Sequence, residues 1–256
     1  MSERGPAVTP AIVLVHGAWH GSWCWERVAG LLAARGLRVH TLDLPSTGGP
    51  GGGGCGSAAA PGAPGRTDPG TAVVAGLAQD AAALRRALAD AGPVLLCGHS
   101  YGGMVISAAG QLPQVRHLVY LCAFMPEPGE SVASALACDR RAGYWMRTQG
   151  DWTMPDPARA AAVLYGDCDA ALQEWACARL RPQASRTFGE SLEDPAWRHL
   201  PSTYVVCGQD RVIRPAIQRE RLAPRAGSVV ELDSGHAPFL SRPAEVAALL
   251  AELGRA

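Results

Sequence analysis

An α/β architecture is what this 256-residue sequence predicts: a mainly parallel six-stranded sheet, helices on both faces and a helical insertion after the fourth strand. Three observations carry that reading. Short β-branched or apolar runs alternate with segments of helical period. Runs such as Ala-Ile-Val-Leu-Val are apolar almost throughout, without the polar alternation of a half-exposed strand. Two stretches, 46–70 and 125–200, interrupt the alternation, and the second separates the fourth and fifth strands. Strands separated by helices form parallel sheets covered on both sides, and strands buried on both faces read as continuous apolar runs.

Taken in order, strands are expected over 11–15, 37–43, 93–97, 117–121, 203–207 and 228–232. Trp25, Val28 and Leu32 share one face of a first helix; Val74, Leu77, Ala81, Leu84 and Leu88 repeat every three or four positions in a second. Val246, Leu249, Leu250 and Leu253 do the same in a last helix, with Ser241 placed to cap it and Pro243 tolerated in its first turn. Residues 46–70 are rich in Gly, Ala and Pro and are expected to form a surface loop. Residues 125–200 are expected to form a cap of short helices, its aromatic residues serving mainly as packing, with 1–124 and 201–256 forming the core. An insertion at the carboxyl edge of a parallel sheet sits where such folds bind ligands.

Composition excludes several function classes. The 23 basic and 23 acidic residues cancel, so no long-range field favours nucleic acid or an anionic membrane. No run approaches the roughly 18 apolar residues of a membrane span. The first ten residues lack the basic start and apolar run of a secretory signal, so a cytoplasmic protein is expected. The 8 cysteines show no C-x-x-C pair and no zinc spacing and are expected as free thiols, several beside apolar strands. Every fixed side-chain cation is arginine, and the absence of asparagine excludes N-glycosylation. No metal or cofactor is expected. The glycine run 51–56 fits G-x-G-x-x-G only because it fits any glycine spacing, and a P-loop needs a lysine that the chain lacks. The partner expected is a small-molecule substrate, with a homodimer left open.

The chemistry concentrates in four places. Gly-His-Ser-Tyr-Gly at 98–102 follows a buried-strand signal and precedes a helical one, the context of a nucleophile elbow. That turn lifts the Ser100 hydroxyl above the sheet edge, at a helix N-terminus that favours developing negative charge. A serine needs a base to take its proton. Of the 7 histidines, His236 lies in the turn after the last strand, where a base is needed. His40 and His117 fall within strands, His99 within the elbow, His16 and His20 in the loop after the first strand, and His199 in a linker. An imidazole base needs a carboxylate to fix its tautomer. Asp210, after the fifth strand, completes the chain order Ser, Asp, His; Asp233 is the rival, three residues from the base. The oxyanion requires two backbone N–H donors, assigned to Tyr101, which follows the nucleophile, and Ala18, in the His-Gly-Ala-Trp loop. Trp19, Phe124 and Met125 are expected to line an apolar pocket.

Four stretches, His-Gly-Ala-Trp-His-Gly-Ser-Trp-Cys-Trp at 16–25, Gly-His-Ser-Tyr-Gly-Gly at 98–103, Tyr-Leu-Cys-Ala-Phe-Met-Pro at 120–126 and Asp-Ser-Gly-His-Ala-Pro-Phe at 233–239, carry a resemblance. Through them the chain resembles the plant methylesterases and hydroxynitrile lyases and their bacterial esterase relatives, within the α/β-hydrolase superfamily. The resemblance implies the α/β-hydrolase fold with that family's reduced six-stranded sheet. Its lyases carry threonine at the position of Gly17 and lysine directly after the catalytic histidine, where this chain has Ala237 and no lysine anywhere. A serine carboxylesterase acting through an acyl-enzyme is therefore expected, on a small apolar or aromatic ester or an ester or lactone of a secondary metabolite. A hydrolase-fold cyclase or ligand-binding protein is the alternative, with lyase, thioesterase and amidase behind it.

Overall fold

All six apolar runs become strands of one sheet in the computed structural model, which describes residues 9–48, 74–139 and 143–255. The chain runs β1 (Ala11–Val15), α1 (Glu26–Ala33), β2 (Val39–Leu42), α2 (Leu77–Ala87), β3 (Val94–His99), α3 (Gly102–Ala109) and β4 (Val115–Leu121). An insertion follows, containing α4 (Val132–Ala135), β5 (Met146–Gln149), β6 (Trp152–Pro155), α5 (Pro157–Leu164), α6 (Ala170–Cys177) and β7 (Gln183–Ala184). The sheet resumes with β8 (Ser202–Cys207), then α7 (Pro215–Ile217), β9 (Ser228–Leu232), α8 (Pro238–Ser241) and α9 (Pro243–Leu253).

The large sheet has the order β2-β1-β3-β4-β8-β9, and every neighbouring pair is parallel. Helices flank it, α1 packing on α9 and α2 on α3. Burial explains the sequence pattern. β1, β3 and β8 are buried at every position, whereas the edge strands β2 and β9 expose most of theirs and can carry His40, Thr41 and Glu231. The chain leaves β1 towards one edge to form β2, then returns to place β3 on the other side of β1. At such a switch point the loops leaving two neighbouring strands diverge and open a crevice at their carboxyl ends. Val15 pairs with Gly98 in register, so the loop after β1 and the turn after β3 start side by side.

The insertion is mixed rather than purely helical. β5, β6 and β7 form a separate three-stranded antiparallel sheet. Ser46 and Thr47, expected on a surface loop, are buried against it: the Ala184 N–H donates to the Ser46 carbonyl (2.9 Å), and Thr47 bridges to Gln183. The rest of that loop, with the glycine run 51–56, falls largely at 49–73, outside the described residues. Arg214, just before α7, and arginines of the α7–β9 connection hold the insertion's first turns: Arg214 on Asp139 (2.7 Å), Arg221 on Glu130 (3.4 Å) and Arg225 on Glu130 (2.6 Å). Arg242, not Ser241, is the residue that precedes α9, with Pro243 in its first turn; Ser241 ends the short helix α8. The seven cysteines among the described residues are free. No helix there is long and apolar enough to cross a membrane.

Since Leu14 is fully buried in a central strand, Leu14→Ala should lower unfolding free energy by about 2–5 kcal/mol, measured by urea denaturation.

Candidate active site

Ser100 sits directly between β3 and α3 with φ of +51°, left-handed backbone that a residue with a Cβ adopts only under constraint. The constraint is close packing of the turn. A Cβ on Gly102 would lie 2.6 Å from the Val15 carbonyl oxygen, so only glycine lets α3 begin this near β1. The Ser100 carbonyl accepts from Gly103 N–H (3.0 Å) and Phe124 N–H (3.1 Å), tying the turn to α3 and to the end of β4.

β8 and β9 are neighbours, with Cys207 opposite Leu232, so the segments leaving them bring Asp210 and His236 together. His236 Nδ1–H donates to Asp210 Oδ2 at 2.7 Å, and both side chains are almost wholly removed from solvent. Three further donors hold the carboxylate: Val212 N–H (2.7 Å) and Ile213 N–H (3.0 Å) on Oδ1, and Gln218 Nε2 (2.9 Å) on Oδ2. A carboxylate that accepts from His236 Nδ1–H fixes the tautomer that leaves Nε2 with its lone pair. Asp233 is exposed and accepts from Gln209 Nε2 (2.6 Å), so it is not the partner of the base. No hydrogen bond joins the Ser100 hydroxyl to His236 Nε2 in this structure; such catalytic contacts are often long before substrate binds and tighten in the complex.

The other histidines have structural partners. His99 Nε2–H donates to the His236 carbonyl (2.8 Å) and so steadies the base's own backbone. His20 Nδ1–H donates to the Ala18 carbonyl (2.8 Å) and accepts from the Tyr165 hydroxyl (2.9 Å); His16 donates to the Gly17 carbonyl (2.8 Å) and accepts from Leu44 N–H (3.0 Å). Burial pushes His16 down to about 4 and His20 down to about 3, and holds His99 well below the ordinary range. All three therefore stay neutral near neutral pH, His20 and His99 close to His236. His117 bonds Thr203 (2.8 Å), His199 bonds Asp194 (2.6 Å), and His40 is exposed.

The loop after β1 lies against the elbow. A Cβ on Gly17 would stand 2.8 Å from both Ser100 Cβ and His99 Nδ1, so the threonine of the lyase pattern does not fit without displacing the nucleophile. The N–H groups of Ala18 and Tyr101 make no hydrogen bond among the described residues, as oxyanion donors require. Both residues border a cavity of about 360 Å³ that Ser100 also lines. Its walls are apolar: Trp19 and Phe124, as expected, with Val132, Leu136, Trp145, Met146, Phe188 and Val212. Met125 does not line it. That side chain is fully buried, turned into the core from the position after Phe124. Sequence reasoning took Trp145 and Phe188 for packing. Their location in an insertion at the sheet's carboxyl edge was the signal for a binding role. Asp139 is the carboxylate of the lining, paired with Arg214.

One cluster has metal-ligand residue types, His99, Cys122 and His236, with atoms within 4.8 Å of one another. His99 Nε2 and Cys122 Sγ (3.5 Å) both donate to the His236 carbonyl, and His236 Nδ1 faces Asp210. These atoms scaffold the base instead of converging on an ion.

Removing the Asp210 charge should lower kcat on an activated ester by about 10⁴ in Asp210→Asn, while Asp233→Asn stays within about twofold of native. Steady-state kinetics of the two purified variants check this. Equal losses would reassign the acid.

The chain matches the Alpha/beta hydrolase family over residues 12–249. It is 28% identical to Methylesterase 3 of Arabidopsis thaliana, with 94% of this chain and 95% of that protein aligned. It is 25% identical to Methyl jasmonate esterase 1 of Vitis vinifera, again with 94% and 95% aligned. Among solved structures, a pyrethroid hydrolase from Sphingobium faniae superposes with a TM-score of 0.76 at 26% identity, covering 96% of this chain and 98% of that one. The turn at Ser100, the insertion after the fourth strand and the Asp210–His236 pair all lie within the matched residues. The chain belongs to the alpha/beta hydrolase family.

Proposed function

We propose that this protein is a serine carboxylesterase that hydrolyses small, uncharged apolar or aromatic esters through an acyl-enzyme. One observation carries the reading: at the carboxyl edge of one sheet, a serine in a strained turn opens onto an apolar cavity and a carboxylate fixes the tautomer of a buried imidazole. The similarity to methylesterases and to a pyrethroid hydrolase supports the ester class.

In the proposed reaction the substrate carbonyl enters beneath the 125–200 segment, which acts as a cap. Ser100 Oγ attacks the carbonyl carbon while His236 Nε2 takes its proton. The negative charge that forms on the carbonyl oxygen falls to the N–H groups of Ala18 and Tyr101. His236 then passes the proton to the departing alkoxide, and the acyl group remains on Ser100. Water, deprotonated by the same imidazole, attacks the acyl carbon through a second oxyanion; the C–Oγ bond breaks, His236 returns the proton to Ser100 Oγ and the acid leaves. Asp210 keeps its charge throughout and stabilises the imidazolium at each stage. Substrate that fills an apolar cavity of this size displaces water from it and strengthens the electrostatic contacts around the carbonyl. A cyanohydrin lyase would need a cation beside His236 for departing cyanide, and that position is Ala237, buried and neutral.

A panel of p-nitrophenyl and methyl esters tests the proposal. Short acyl and aryl esters should be turned over, and Ser100→Ala should lose about 10⁶ in kcat, which brings it near background. Activity that survives Ser100→Ala, or that is confined to long, charged or peptide substrates, would contradict it.

A further inference from the structure

Behind the cavity lies a line of buried polar side chains that the proposed reaction does not use. Asp80 is fully buried on α2, in the apolar face formed by Leu77, Ala81 and Leu84. Its Oδ2 accepts from the Tyr101 hydroxyl at 2.7 Å and from the Ser46 hydroxyl at 2.5 Å, and its Oδ1 accepts from Ser46 N–H at 2.9 Å. Ser46 Oγ in turn accepts from Gln183 Nε2 at 2.8 Å. The Gln183 carbonyl accepts from the Thr153 hydroxyl at 3.2 Å, and that hydroxyl accepts from Trp19 Nε1 at 3.2 Å. The line thus begins at Tyr101, crosses from the sheet domain into the small antiparallel sheet, and ends at Trp19, the residue after Ala18.

We propose that this continuous chain of hydrogen bonds, Tyr101–Asp80–Ser46–Gln183–Thr153–Trp19, sets the relative placement of the two oxyanion donors, with Asp80 and Gln183 as positioning residues for the reaction. The inference rests on the esterase reading above. Both ends need such restraint. Bonds to the Ser100 and Gly17 carbonyls hold one side of each donor's peptide, while Tyr101, after a residue at φ +51°, and Trp19, at φ +63°, are tied down by the line through their side chains. Conformations of this kind persist only where their surroundings over-determine them. The line is also costly to keep: burial lifts the Asp80 carboxyl to about 6 although Ser46 and Tyr101 donate to it. An apolar residue at position 80 would match the rest of that helix face. A buried carboxylate there is what aims the Tyr101 ring, and with it the Tyr101 N–H.

Oxyanion donors act on the transition state and not on ground-state binding, so loosening them lowers kcat and leaves KM. The test compares Tyr101→Phe, which removes only the terminal hydroxyl, Gln183→Met, which cuts the middle at similar volume, the double variant, and Asp80→Asn. Both single variants should lose about tenfold in kcat on a p-nitrophenyl ester, a part of the 10²–10³ that follows loss of a whole donor, with KM within about twofold. The double variant should lose little more than either alone, because both cuts open the same line. Asp80→Asn should lose kcat to about the same extent with KM unchanged, since both carboxylate oxygens accept and the amide NH₂ must face one of the donors they now hold. Losses that multiply in the double variant, or kcat unchanged in variants that keep the native melting temperature, would overturn the inference while leaving the esterase reading intact. A native protein inert towards every ester would overturn both.

Discussion

Ser100 is held in a left-handed conformation that costs a non-glycine residue about 1–3 kcal/mol, and the surrounding structure is arranged around keeping it there. β3 must end where α3 begins, which demands glycine at 98 and 102, where a Cβ would press on backbone at 2.6 Å. β1 must lie beside β3 so that the His-Gly-Ala-Trp loop reaches the turn. Relaxing Ser100 into a normal strand or helix conformation would return its hydroxyl to the sheet and dissolve the contact with that loop. The strain is thus part of the site's construction, with the buried central strands supplying the stability that offsets it.

The second half of the machinery follows from strand order. β8 and β9 lie side by side, and a few residues beyond their ends Asp210 and His236 meet in a pocket with almost no solvent. Low dielectric strengthens the pair only because it is fully satisfied. Four donors hold the carboxylate, and His99 and Cys122 hold the carbonyl of the base. The insertion contributes here too: Asp167 accepts from Gly235 N–H at 2.7 Å, and Tyr165 reaches His20, which grips Ala18. The insertion is therefore attached to both the loop after β1 and the loop after β9, and it forms most of the cavity wall.

What could be read from the sequence was whatever short-range pattern encodes. Central strands buried on both faces leave apolar runs, and all six appear where those runs are. The elbow, Asp210 and His236 were legible because strand ends announce themselves by turn residues. The cap's antiparallel sheet was not, since strands of four, four and two residues are too short to show a period. Met125 was misplaced because neighbouring residues past a strand end point in different directions, and Phe124 took the cavity side. Ser46 and Thr47 looked like loop because their partner, Gln183, stands more than 130 residues away. One signal was present: Asp80 lies three residues after Leu77 and four before Leu84, a charge in an apolar stripe.

The claim on which all of this depends is that His236 activates Ser100 and no other nucleophile. Intact-protein mass spectrometry after exposure to a fluorophosphonate, followed by peptide mapping, tests it directly. One adduct per chain on Ser100, absent when His236 is replaced by Ala, is the predicted result. A protein that gains no mass, or whose adduct lies on another residue, would contradict the account.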